Sequence, residues 1–238
     1  MRTLFTLLVM FGLTFAPPVM AELDDAEKAE FSAMIRSYIE ANPEIVRDAL
    51  QQLAEREEKA RLDAGLAFLS MSDGDPVMGN PDGSLVIYEF SDYNCGYCKR
   101  VFGPIQQVLA EDDDIRFVVK EFPILSQSSL IAAQAAIAAH GQGVFPQYHA
   151  TMMTNPGAIS MDTILAAARD AGADLGRLQS DMRSPETAAI INRTRQSAEQ
   201  LQISGTPGLV IGSLIIPGAV SGEELRRLIA EERALRVQ

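Results

Sequence analysis

Apolar positions recur at helical spacing from Glu22 to about Leu66, where Phe31, Met34, Ile35, Tyr38 and Ile39 fall on one stripe. Asn42-Pro43-Glu44 then restarts the helix, with Asn as N-cap and Pro at the first helical position. Ile45, Val46, Ala49, Leu50 and Leu53 continue an apolar face, and Glu55-Arg56-Glu57-Glu58-Lys59 beyond it reads as solvated helix. Residues 22–66 therefore form an N-terminal helical arm. Its stripe either lies on the chain's own domain or joins copies of the chain into a homo-oligomer.

The pattern changes after a turn-rich stretch, Ser72 to Ser84. Leu85 to Phe90 is almost continuously apolar, broken by one charge, Glu89, as in a strand buried on both faces of a sheet. A helix follows to about Ala110, interrupted at Gly103-Pro104, and Ile115 to Phe122 reads as a second strand. Strand, helix, strand in that order predicts a βαβ unit with parallel strands. From about 126 to 203 the spacing is helical again. Segments over Ser129–His140, Phe145–Thr154, Met161–Ala171 and Pro185–Gln202 are marked by the N-caps Ser160 and Ser184 and the stops Gly141 and Gly172. Leu209–Ile211 and Leu214–Ile216 form a hairpin around Gly212-Ser213. Ser221 with Glu224 makes a capping box for a last helix whose Leu225, Leu228, Ile229 and Leu235 face a core. The order βαβ, helical insertion, ββα predicts an α/β fold over residues 67–238.

Composition adds the compartment and the class of partner. Met1-Arg2-Thr3 is a short positive start, Leu4 to Phe15 is mostly apolar, and Val19-Met20-Ala21 offers small residues at the two positions a signal peptidase reads. Residues 1–21 thus read as a signal peptide cleaved after Ala21, too short for a membrane span, which needs about 20 apolar residues. With no cysteine at the cleavage site, a lipoprotein anchor is excluded, and the expected location is the periplasm. The chain has 20 Lys and Arg against 32 Asp and Glu, a formal charge of −12. That balance argues against nucleic acid or an anionic membrane and points to proteins as partners. The length suffices for a real core, so folding does not depend on a disulfide framework.

The chemistry rests on the only two cysteines, Cys95 and Cys98, in "FSDYNCGYCKR". As a staple the pair closes a four-residue loop, worth about 2 kcal/mol against about 5 for a loop of a hundred residues. Structural zinc wants four ligands in close pairs, and His140 and His149 stand nine apart. No metal is expected, although a two-coordinate Cu(I) site on the two thiolates stays open. Redox exchange fits best. Cys95 follows a strand and opens a helix, whose positive end favours a thiolate, and Cys98 lies one turn on, able to attack a mixed disulfide on Cys95. Cys95 is then the nucleophile and Cys98 the resolving thiol. Lys99 either adds positive potential or is solvated. Resolution also needs a proton acceptor. Glu89, alone in its apolar strand six residues before Cys95, is the candidate, with Lys120 of the neighbouring strand to hold it charged.

An acid six residues before CxxC, with Thr206-Pro207 much later in front of a strand, resembles the thioredoxin fold. The long helical insertion resembles the DsbA family over about Pro76 to Arg236. "NPEIVRDALQQL", "KEFPIL" and "GTPG" are similar to its suppressor-of-copper-sensitivity C (ScsC-like) branch. The resemblance implies a thioredoxin-like fold with an inserted helical domain and an N-terminal helical extension. It implies that Pro207 is a cis-proline beside the disulfide and that the Thr206 backbone bonds a bound substrate chain. It implies no cofactor beyond the redox-active disulfide, and as partners cysteine-containing proteins plus a membrane or thioredoxin-like redox protein. DsbA carries Pro-His between its cysteines and Val before the cis-proline. Here Gly96-Tyr97 and Thr206 are instead similar to the isomerase DsbC, which implies a weaker oxidant and favours shuffling or reduction over simple oxidation.

Overall fold

The computed structural model describes residues 24–70 and 73–236, so the expected signal segment lies outside the described residues. The chain divides into two compact units, one ending at Glu55 and one beginning at Arg56.

In the first unit, helix α1 (Asp25–Ala41) starts at a full capping box. Asp24 Oδ1 accepts the Glu27 N–H at 2.9 Å and Glu27 Oε2 accepts the Asp24 N–H at 2.9 Å. Asn42, expected to cap the second helix, instead closes the first, because its backbone N–H and its side-chain amide both donate to the Tyr38 carbonyl, the amide at 2.8 Å. Pro43 opens α2 (Pro43–Ser70) as expected. No residue of α1 is buried. The stripe from Phe31 to Leu53 stays 40–60% exposed throughout.

The second unit is built on a five-stranded sheet in the order β1-β3-β2-β4-β5. The strands are β1 (Val77–Gly79), β2 (Leu85–Ser91), β3 (Ile115–Glu121), β4 (Gly208–Ile211) and β5 (Leu214–Pro217). As predicted, β2 and β3 are parallel and joined by α3 (Gly96–Glu111). The other pairs are antiparallel. The insertion comprises α4 (Gln127–His140), α5 (Phe145–Thr154), α6 (Met161–Asp170), α7 (Leu175–Asp181) and α8 (Pro185–Gln200), and α9 (Gly222–Arg236) closes the chain.

Each face of the sheet is covered. Leu85, Ile87, Ile115, Phe117, Leu209 and Ile211 meet α3, α9 and the insertion on one side. On the other, Phe90, Phe122 and Val210 meet Ala198 and Leu201 together with Leu62, Leu66 and Leu69 of α2. The end of α2 is thus core, and the compact unit begins well before residue 67, where the pattern placed it.

Four expectations change. Strand β1 has no signal in the pattern because three residues carry no alternation. Short α7 likewise has none. Helix α3 runs unbroken through Gly103-Pro104, since Val101, Ile105 and Val108 are buried on the sheet and outweigh one lost backbone bond. Leu235, expected in the core, is 61% exposed at the end of α9. Ser221 does cap that helix, accepting the Glu224 N–H at 3.1 Å, while the Glu224 carboxylate pairs with Arg227.

Candidate active site

Cys95 and Cys98 are both free thiols. Cys95 is the N-cap of α3, and its Sγ accepts the Cys98 N–H at 3.4 Å, so the sulfur sits on the unpaired donors of the first helical turn. A Cβ at Gly96 would meet nothing within 4 Å, and Tyr97 is 57% exposed with its ring under the Arg100 guanidinium at 4.5 Å. The dipeptide between the cysteines is therefore open to solvent, while Cys95 itself is 6% exposed. The Thr206–Pro207 bond is cis, and the Cys95 thiol donates to the Thr206 carbonyl at 3.2 Å. Residues 111 positions apart are thereby brought onto one sulfur.

Cys98 is 1% exposed on the inner side of α3. Burial pushes its thiol up, and the charge of Glu89 pushes it further, while Ser91 and the Asp92 backbone N–H pull the other way. Cys98 is thus a thiol at neutral pH and needs a base before it can attack. Glu89 is 2% exposed, and burial raises its carboxyl to about 7, against the steadying effect of Ser91. An acid half ionised at neutral pH can take a proton and return it.

Lys120 does not hold Glu89. In the parallel register Phe90 stands opposite Lys120 and Glu89 opposite Val119, so the lysine projects from the other face of the sheet. There it pairs with Asp75 at 2.5 Å, both side chains being fully buried. Burial lowers the lysine and raises the aspartate despite their mutual attraction. Lys99 is half-buried rather than fully solvated, and its charge is engaged away from the cysteines. Its ammonium donates to the Asn155 carbonyl at 2.7 Å, at the C-terminal end of α5.

Several residues at the site carry no signal in the sequence pattern. Asp92 accepts the backbone N–H groups of Asn94 at 2.8 Å and of Ile124 and Leu125 at 3.0 Å each. The Asn94 amide reaches the hydroxyls of Ser126, Ser128 and Ser129 at 2.9–3.0 Å. These bonds clamp the loop before Cys95 to the start of the insertion. Behind it Glu121, on the same face as Glu89, accepts the Tyr93 hydroxyl at 3.0 Å, and that hydroxyl meets His149 Nδ1 at 2.9 Å. Burial drives Glu121 well above the usual carboxylate range and His149 down to about 3, so this row is uncharged. Only the short distance in sequence between Asp92 and Cys95 hinted at any of these roles. Among the described residues no cluster of three or more His, Cys, Asp or Glu is placed to hold a metal ion.

Comparison with known proteins agrees with this geometry. Residues 71–231 match the thioredoxin family model described as "Thioredoxin", and residues 27–60 match that of the copper resistance protein ScsC N-terminal domain. A thioredoxin-like oxidoreductase from Silicibacter pomeroyi DSS-3 is 36% identical with a TM-score of 0.66, over 68% of this chain and 94% of that one. A linker-deletion variant of Proteus mirabilis ScsC is 26% identical with a TM-score of 0.67, over 90% and 99%. The thiol-disulfide exchange protein alpha-DsbA2 from Wolbachia pipientis is 25% identical with a TM-score of 0.68, over 75% and 97%. The curated relatives are Na(+)/H(+) antiporters, such as that of Herminiimonas arsenicoxydans at 27% over 166 residues, and the chain spans about a quarter of their length. Among the described residues no helix is long and apolar enough to cross a membrane. With a buried acid behind a helix-capping CxxC and the Thr206 carbonyl, next to a cis-proline, on its first sulfur, the chain belongs to the thioredoxin family as a DsbA/ScsC-like thiol:disulfide oxidoreductase.

Proposed function

We propose that this is an exported, periplasmic enzyme that shuffles or reduces wrong disulfides in secreted proteins, in preference to acting as a simple oxidase. The observation that carries the reading is the placement of Cys95 at the tip of α3, with Thr206 over its sulfur and Cys98 buried beside Glu89. Cys95 attacks a substrate disulfide, forming a mixed disulfide and releasing one substrate thiolate. A substrate thiol then displaces Cys95, which completes an isomerisation, or Cys98 displaces the substrate, which completes a reduction. The Thr206 carbonyl and the open front of Gly96 suit an extended polypeptide lying across the site. A cavity of about 490 Å³ beside Ile203, Thr206, Pro207 and Ile216 adds room for its side chains.

The preference for shuffling is supported by Gly96-Tyr97 and Thr206, and by the exposed stripe of the first unit. An isomerase gains from several sites facing one substrate, and residues 24–55 offer the surface through which copies would assemble. A membrane or thioredoxin-like redox protein is the expected electron donor.

The test is insulin reduction and re-sorting of a scrambled multi-disulfide protein, each with the mature chain and with Cys95→Ser. Turnover that vanishes with Cys95→Ser supports the reading. Uptake of one Cu(I) per chain without any turnover replaces it with a copper-binding role for the same two thiolates.

A further inference from the structure

Strand β2 ends Glu89-Phe90-Ser91. Side chains two apart share a face, so Glu89 and Ser91 both point to the side on which Cys98 lies, while Phe90 joins the cluster on the other face. Ser91 is 1% exposed, and its hydroxyl has no partner at full hydrogen-bond geometry. A buried polar group left so is costly and asks for an explanation. On that face stand the Glu89 carboxyl and the Cys98 thiol, and the hydroxyl favours the ionised form of each. A hydroxyl can accept from one neighbour while donating to another.

We propose that Ser91 is the catalytic proton bridge between Cys98 and Glu89. In the mixed disulfide, Cys95 Sγ is bonded to a substrate sulfur. The Cys98 thiol gives its proton to Ser91 Oγ while the Ser91 hydroxyl passes its own proton to the Glu89 carboxylate. The Cys98 thiolate then attacks Cys95. The bond from Cys95 to the substrate breaks, the Cys95–Cys98 bond forms, and the substrate sulfur leaves as a thiolate with the electron pair. Cys98 is oxidised, the substrate sulfur is reduced, Ser91 ends unchanged and Glu89 holds the proton. The reverse step returns the proton along the same path.

The other titratable groups packed around this point are already engaged. Glu121 of β3 is bonded to Tyr93, and Tyr93 to His149 of α5. Asp92 holds three backbone N–H groups, and Lys120 is paired with Asp75 on the far face. The bridge therefore has one donor, Cys98, and one acceptor, Glu89.

The proposal rests on the disulfide-exchange reading, and one stopped-flow experiment separates the two. The reduced enzyme is mixed with an aromatic disulfide whose thiolate is coloured. Attack by Cys95 releases the first thiolate, and resolution by Cys98 releases the second. Ser91→Ala is expected to slow the second release about tenfold or more while leaving the first within about twofold. Ser91→Thr, which keeps the hydroxyl, restores it, and adding Ser91→Ala to Glu89→Gln slows it no further. In the unmodified protein the second release, measured in mixtures of light and heavy water, follows a curved dependence because two protons move. A linear dependence, a second release unaffected by Ser91→Ala, or equal slowing of both releases overturns the bridge. Absence of the first release in the unmodified enzyme overturns the exchange reading and the bridge with it.

Discussion

At the scale of single residues the two thiols are separated by environment. Cys95 lies at the helix tip and is 6% exposed, whereas Cys98 is 1% exposed and its thiol is pushed up by burial. In the native reduced protein at neutral pH, an alkylating agent should label Cys95 alone, with Cys98 reacting only after denaturation. Mass spectrometry reads this directly, and equal labelling of both would remove the division of roles. Glu89 gives a second expectation, with a definite sign. Its folded value, about 7, lies above its ordinary 4.5, so the folded state binds more protons between those values. Stability contributed at this position is therefore highest at low pH and falls as pH rises through the window, by up to about 3 kcal/mol. Glu89→Gln should leave stability nearly unchanged near pH 4 and raise it by a similar amount near pH 8. Urea denaturation at the two pH values checks this, and a gain that is the same at both would show that Glu89 is not protonated on folding. The same variant should slow release of the mixed disulfide more than its formation, because only release requires Cys98 to lose a proton.

At the scale of elements, what matters is which face a residue takes. Glu89 and Lys120 were both legible as charges in apolar strands. Their pairing was not, because a register offset of one residue in a parallel pair reverses the face, and nothing local in either strand sets that offset. The turn that starts β2 does show a local demand. Asn80 accepts the N–H of Asp82 on its side chain at 2.9 Å and that of Gly83 on its carbonyl at 3.0 Å, folding the turn against β3. A Cβ at Gly83 would come within 2.6 Å of the Arg116 nitrogen, which is backbone and has no rotamer by which to move aside. Gly83→Ala should therefore cost about 1–3 kcal/mol in a urea titration. A neutral result would mean that the β2 and β3 starts can separate without loss.

At the scale of the whole molecule the open question is assembly. The stripe through Phe31, Ile35, Tyr38, Val46, Leu50 and Leu53 is exposed, which is unusual for so many large apolar side chains in one segment. Light scattering at micromolar concentration should find the mature chain to be a homo-oligomer. Ile35→Glu combined with Leu50→Glu should give a monomer that still reduces insulin but no longer re-sorts a scrambled substrate. A monomeric unmodified chain would withdraw the main support for isomerase activity. Deleting residues 22–66 is no clean test, since Leu62 and Leu66 pack against the sheet core. The sequence by itself determined the parallel βαβ unit, the helical insertion, the redox pair and the buried acid. Each is written in local periodicity, in caps, or in a spacing of a few residues. Only the tertiary structure decided that Thr206 covers Cys95, that Lys120 serves Asp75, and that Asn94 ties the active-site loop to three serines. Those relations depend on sheet register and on contacts between segments far apart in the chain, and no local pattern encodes a contact made across a hundred residues.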